Sequence, residues 1–251
     1  MNNLRGPIIV TGASRGIGAA IAQSLVAAGR QVCITHRDSA GAADALAEKL
    51  GGAEQVLVCQ TDIGDENDVI ELFEKVRQTF GHPAGLVNNA AYLGQVGRRI
   101  ADADVNDIRR VFDINVAGTI LCCREAVRAM STETGGAGGR IVNISSTAAE
   151  RGSPGDWVDY AASKAAVNTL TKGLALEVAG EGIRVNAVAP GLTDTESHGR
   201  AGGPDRVEQF SPRIPLGRAG EPAEVAETVR WLLLEAPDYL TAAIIPVAGG
   251  F

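Results

Sequence analysis

Aromatic side chains make up only 4% of the 251 residues, and no paired aromatic run is present to hold a steroid or line an acyl-chain groove. Basic residues are in the minority, 23 against 30 acidic for a net charge of -7, so a nucleic-acid backbone is not the expected partner. No uncharged apolar stretch reaches the ~18 residues that cross a bilayer, so no membrane partner is expected. Arg15 and a glycine-rich turn interrupt the first apolar stretch, so no signal peptide is expected. The four cysteines, Cys33, Cys59, Cys122 and Cys123, have neither C-x-x-C nor Cys/His spacing. They read as reduced and buried, with no metal site, in a cytoplasmic chain.

What is present is an alternation of short β-branched runs and longer helical patterns. Strands are expected over residues 7–11, 31–35, 55–60, 85–88, 140–144, 183–188 and 244–247. Helices are expected over 17–28, 39–50, 66–80, near 105–130, 157–179 and 222–234. Near-continuous apolar strands separated by helices specify an α/β fold, a doubly wound parallel sheet covered on both faces. Its ligands belong at the carboxyl ends of the strands. No repeat or linker divides residues 1–251, so one domain is expected, with the long irregular stretch 192–215 as a substrate loop.

After the first strand comes Thr11-Gly12-Ala13-Ser14-Arg15-Gly16-Ile17-Gly18, opening the first helix. Glycines at a helix N-terminus let backbone N–H groups approach a pyrophosphate. An NAD site usually carries an acid about 20 residues further on, to hold the ribose hydroxyls. That count from Gly16 reaches His36 and then Arg37. Arg37, with Arg15, favours the 2′-phosphate of NADP(H). Asp38 keeps NAD(H) as the alternative.

Tyr160-Ala161-Ala162-Ser163-Lys164 sets a phenol and an ammonium four apart, on one helix face. Tyrosine titrates near pH 10, and moving it to neutrality takes roughly 4 kcal/mol of phenolate stabilisation. A neighbouring Lys⁺ and an oxidised nicotinamide are candidate sources of that stabilisation. Upstream, the expected strand 140–144 ends in Ser145-Ser146.

Thr11 to Gly18, Asn88-Asn89-Ala90, Ser146, Tyr160-x-x-x-Lys164 and Pro190-Gly191, in this order, resemble the short-chain dehydrogenase/reductase family. The resemblance runs through to Val247-Ala248-Gly249-Gly250 and implies a Rossmann-like sheet of about seven strands. It also implies hydride transfer between a nicotinamide and a small-molecule carbonyl or alcohol. Carried over, Tyr160 matches the general acid/base, Lys164 the lysine that assists it and binds the nicotinamide ribose, and Ser146 the hydroxyl that polarises the carbonyl. Asn115 matches the asparagine of the proton relay. Gly12, Ser14, Arg15, Gly16, Ile17 and Gly18 form the pyrophosphate turn, with His36 and Arg37 beside the adenosine ribose. Asp62 and Ile63 match the adenine contact, Asn89 and Ala90 the adenosine-ribose turn, and Pro190, Gly191 and Thr195 the carboxamide contact.

The chain departs from the family pattern at several places. Ala91 replaces a glycine, Thr193 an isoleucine, and Ala242 stands where a glycine is common. Ser146 lies 14 residues before Tyr160, one more than in many relatives, which leaves Ser145 as a lesser candidate. Residues 92–99, 150–157 and 192–215 should wall the substrate, their Arg98, Arg151 and Arg213 reading as solvated loop surface. The resemblance further implies a homo-oligomer, dimer or tetramer. The competing function on the same fold is a catalytically silent NADP(H)-binding redox sensor.

Overall fold

Alternation along the first strand, β1 (Ile8–Val10), sorts the two cores. Ile8 and Val10 face one side of the sheet and Ile9 the other. The computed structural model describes residues 4–195 and 206–251. Strands β2 (Val32–His36), β3 (Val56–Gln60), β4 (Gly85–Asn88), β5 (Gly139–Ile144), β6 (Ile183–Pro190) and β7 (Ile244–Val247) complete a sheet of order β3-β2-β1-β4-β5-β6-β7. Every pairing is parallel; Ile8, for example, stands opposite Val32 on one side and Gly85 on the other.

Helices α1 (Gly16–Ala27) and α2 (Ala40–Lys49) cover the Ile8 face. Helix α3 (Glu66–Phe80) packs on the Ile9 face and starts at Asp65, whose carboxylate accepts from the amides of Asn67 and Asp68. Next come α4 (Val105–Phe112), α5 (Thr119–Met130), the single turn α6 (Ala148–Arg151) and α7 (Val158–Glu177). A short α8 (Arg206–Phe210) and α9 (Pro222–Leu234) follow. Helix α9 opens with Pro222 and a reciprocal Glu221/Glu224 capping box, and packs on α1. The result is the doubly wound α/β fold expected from the alternation, with the seven-stranded Rossmann-like sheet that the family resemblance implies. Strand order reverses between β1 and β4, so the ligand crevice lies at their carboxyl ends.

Two expected elements differ. The helix over 105–130 is broken by a π-helical segment, Asp113–Gly118. Asn115 turns inward there, and Gly118 lies so close to Ile63 that a Cβ would sit 2.7 Å from its carbonyl oxygen. The stretch 192–215 is less irregular than expected, since it contains α8 and a 3₁₀ turn, Ser211–Arg213. All four cysteines are free thiols buried in the Ile9 core. No helix among the described residues is long and apolar enough to cross a membrane.

Ala242, the residue standing in place of a glycine, has φ +63°. An L-residue pays about 1 kcal/mol for that left-handed conformation, and glycine does not. Ala242→Gly is therefore expected to stabilise the protein by about 1 kcal/mol, visible as a raised Tm. An unchanged or lower Tm would contradict the strain assigned to this turn.

Candidate active site

The glycine turn is closed by hydrogen bonds from three strands. Thr11 Oγ1 accepts from the amides of Asn89 and Ala90, each at 3.0 Å. Asn89 Nδ2 donates to the carbonyls of Thr11 and Gly12, both at 2.9 Å. The Gly12 amide donates to Thr35 Oγ1 at 3.1 Å. Gly12 (φ +62°) approaches so closely that a Cβ would fall 2.7 Å from Ala90 Cα, and one on Gly18 would fall 2.5 Å from Asn89 Nδ2. Asn89 and Ala90 thus brace the turn itself.

Arg15 is the N-cap of α1 in extended conformation, with no side-chain cap and no acid in the first turn of the helix. The leading N–H groups therefore suit an anion. Ser14 and Ile17 are half-buried here, and Thr195 lies alongside Gly16, its Cγ2 3.5 Å from where a Cβ would project. The Arg15 guanidinium hydrogen-bonds Ser39 Oγ, two residues beyond Arg37, so both arginines attend the end of β2. Arg37 Nε pairs with Asp38 at 2.6 Å. His36 is buried, with Nδ1 lacking a partner among the described residues.

At the end of β3, Asp62 Oδ1 accepts from the Gly64 amide at 3.0 Å. Asp62, Gly64, Asp65, Arg110, Asp113 and Ile114 line a cavity of about 430 Å³. The Ile63 side chain points instead into the Ile9 core, at 3% exposure. On β6, Pro190 accepts from the Thr147 amide at 3.0 Å, and Gly191 packs on Ala248, where a Cβ would meet Cβ at 2.8 Å.

Ser146, Tyr160 and Lys164 come together beyond the end of β5. Ser146 lies close enough to the Tyr160 hydroxyl to pull its pKa down, and Ser146 Oγ accepts from the Ala148 amide at 3.1 Å. Ser145 points away, its hydroxyl donating to the Lys164 carbonyl at 3.3 Å, which separates the two serine candidates. Lys164 Nζ donates to the Ile144 carbonyl at 2.7 Å and stands 5.7 Å from the Tyr160 ring centroid. Burial pushes the phenol up to about 12, against the pull of Ser146, and pushes the Lys164 ammonium down to about 8. The downward shift expected from sequence draws on an oxidised nicotinamide as well as Lys164; the protein alone moves the phenol the other way. Desolvation of the buried phenol outweighs what the Ser146 hydroxyl provides.

Asn115 is 1% exposed, and its side chain is committed. Oδ1 accepts from the Tyr92 amide at 2.7 Å, and Nδ2 donates to the Tyr92 carbonyl at 2.9 Å and Ser163 Oγ at 3.0 Å. Sequence reasoning overlooked Ser163, Asp107 and Asp159, and misread Arg98. Far from being solvated, Arg98 is 7% exposed and joins Asp159 at 2.6 Å and Asp107 at 3.3 Å. The available signal was an acid immediately before the tyrosine. Arg151 stacks on Phe251, 3.3 Å from its ring centroid, and Arg213 lies 4.9 Å from that of Phe210.

Residues 12–251 match the family described as Enoyl-(Acyl carrier protein) reductase. An uncharacterized oxidoreductase of Escherichia coli (strain K12), YgfF, is 45% identical over 96% of this chain and 98% of its own. An NADPH-dependent aldehyde reductase-like chloroplastic protein of Arabidopsis thaliana is 35% identical, over 97% and 93%. Among solved structures, a double mutant of a Serratia marcescens short-chain dehydrogenase/reductase superposes with a TM-score of 0.87 at 34% identity, covering 97% of this chain and 96% of that one.

Proposed function

The chain belongs to the short-chain dehydrogenase/reductase family, and from that premise we propose an NADP(H)-preferring carbonyl/alcohol oxidoreductase with Tyr160 as its acid/base. Its relatives make it an oxidoreductase acting on CH–OH or C=O groups, in a family that uses nicotinamide dinucleotides. The observation that carries the finer reading is the meeting of Ser146, Tyr160 and Lys164 beyond β5, across the strand switch from an uncapped glycine turn.

The donor set fits the cofactor. Gly12, Ser14, Gly16, Ile17 and Gly18 supply the close backbone and helix N-terminus for a pyrophosphate. Arg15 and Arg37, with His36 at the strand end, would attend a 2′-phosphate. Asp62, with Ile63 beside it, would meet the adenine at the cavity Asp62 borders, and Asn89 and Ala90 hold the turn beneath the ribose. Pro190, Gly191 and Thr195 would face the nicotinamide, and Lys164 its ribose. When bound, the dinucleotide supplies or accepts the hydride.

The protein's own residues handle the proton. A substrate oxygen between Tyr160 and Ser146 accepts from both hydroxyls, which polarises the carbonyl. Burial keeps the phenol neutral at neutral pH, the state in which it donates. Lys164, held by the Ile144 carbonyl, supplies positive charge near the phenolate left behind. Asn115 fixes Ser163 one residue before that lysine and completes the constellation at the relay end.

The direction of the tyrosine shift sets the pH dependence. Reduction needs the neutral phenol and should hold level through the neutral range. Alcohol oxidation needs the phenolate and should climb with pH until, near 8, Lys164 begins to lose the charge that stabilises it. Initial rates in both directions across pH check this; an oxidation rate that falls as pH rises from 6 toward about 8 would contradict it.

The proposal includes a single domain over residues 1–251 with substrate loop 192–215, of which residues 196–205 lie outside the described ones. It also includes a cytoplasmic homo-oligomer, dimer or tetramer. Exposed Val105, Phe112, Ile120 and Leu176 on α4, α5 and α7 support association.

A further inference from the structure

We propose that Arg98 and Asp159 are positioning residues: their buried ion pair pins the first turn of α7 and thereby sets where the Tyr160 hydroxyl lies. The proposal rests on the reading of Tyr160 as the acid/base.

Tyr160 is the third residue of α7, in the turn where a helix frays most readily. That helix start has no side-chain cap of its own, since the residue at the N-cap is Trp157. Asp159, one residue before the tyrosine, reaches Arg98 Nη2 at 2.6 Å. The side chains of this pair are 5% and 4% exposed. The same Nη2 reaches Asp107 Oδ2 on α4 at 3.3 Å. Asp107 also accepts from the Tyr92 hydroxyl and the Gln95 amide, each at 2.8 Å. The backbone of the Arg98 loop is tied to the approach to α7 as well: Gly97 donates to Asp156 Oδ1 at 3.1 Å and Arg98 to the Asp156 carbonyl at 3.3 Å. Asn115 clips both backbone groups of Tyr92 at the other end of the loop. A chain of polar contacts therefore runs from the π-helical break to the residue beside Tyr160.

Stability alone does not account for this pair. Removing two charges from water costs several kcal/mol per ion, and well-packed apolar replacements are often as stable. Here the compensation is incomplete, because Arg98 Nε and Asp159 Oδ1 are buried with no partner among the described residues. What an ion pair gives and an apolar contact lacks is direction. A displacement of about 1 Å at a reacting group costs about a hundredfold in rate.

The test compares Arg98→Met, Asp159→Asn and the double variant with the wild type and with Tyr160→Phe. NADPH and an α-diketone serve as substrates, and rates are counted per NADPH-binding site. Each single variant and the double are expected to lower kcat by about tenfold, with KM and NADPH Kd within about twofold, because both substitutions break the same Arg98–Asp159 pair, Arg98→Met also releasing the longer contact to Asp107. The Ala161 amide, which donates to the Trp157 carbonyl at 3.0 Å, should exchange its hydrogen faster in all three. Arg98→Lys, which retains a donor cation, should recover most of kcat. Wild-type kcat in a folded pair variant, losses that multiply in the double, or unchanged Ala161 exchange would overturn the proposal. Tyr160→Phe with near wild-type turnover would instead overturn the acid/base assignment beneath it.

Discussion

Tyr160→Phe is expected to lower kcat for carbonyl reduction by roughly 10²–10⁴-fold, the usual range for losing a general acid. NADPH Kd should stay within about twofold, because the substitution deletes one hydroxyl and little else. The ring is 8% exposed and packs 5.3 Å from Trp157, centroid to centroid, with Ala148, Ala161, Leu93 and Val96 around it. Phenylalanine keeps all of that apolar contact. Ser146 keeps its bond from the Ala148 amide, and Lys164 its bond to the Ile144 carbonyl. No buried charge is orphaned, so loss of activity cannot be assigned to collapse of the site. Steady-state kinetics and a fluorescence titration with NADPH read the two quantities separately. Turnover within tenfold of the wild type would remove Tyr160 from its role.

Arg37→Asp is expected to raise the Kd for NADPH about 100-fold while leaving that for NADH within a few-fold. A hydrogen bond to a charged group contributes about 1.5–3 kcal/mol, and the new carboxylate would also repel the 2′-phosphate. Arg37 is already paired with Asp38, so the phosphate has to share the guanidinium with an acid whose side chain is 70% exposed. Such an exposed partner is a weak competitor. Arg15, held toward the same turn by Ser39, remains in the variant and prevents a complete loss. Titrations with both nucleotides decide the matter; equal weakening of the two would take Arg37 away from the 2′-phosphate.

The strands and the helices at 66–80 and 222–234 were legible in sequence because each signal is local. Short β-branched apolar runs, Asp65 before a helical pattern and Gly81 after it, or Pro222 at a helix start depend on neighbours a few residues away. The glycine turn was legible for the same reason. The π-helical break was not, because it answers to Tyr92 and Ser163, 23 and 48 residues from Asn115. Arg98 read as loop surface because its partner Asp159 lies 61 residues away and becomes visible only when α7 packs against the loop. The protein's own upward pull on the tyrosine was not legible because burial, the largest influence on it, is a property of the folded site. Ala242 was noticed as a departure, but its cost came into view only with its φ of +63°.

The measurement closest to the central claim is the rate of NADPH and of NADH consumption by the purified protein across a carbonyl panel. The panel comprises ketoacyl thioesters, α-diketones, aldehydes and keto-sugars. The account predicts turnover of at least one of them, faster with NADPH than with NADH at equal concentration. Tight NADPH binding with no consumption above background on any of them would contradict it and favour the silent sensor.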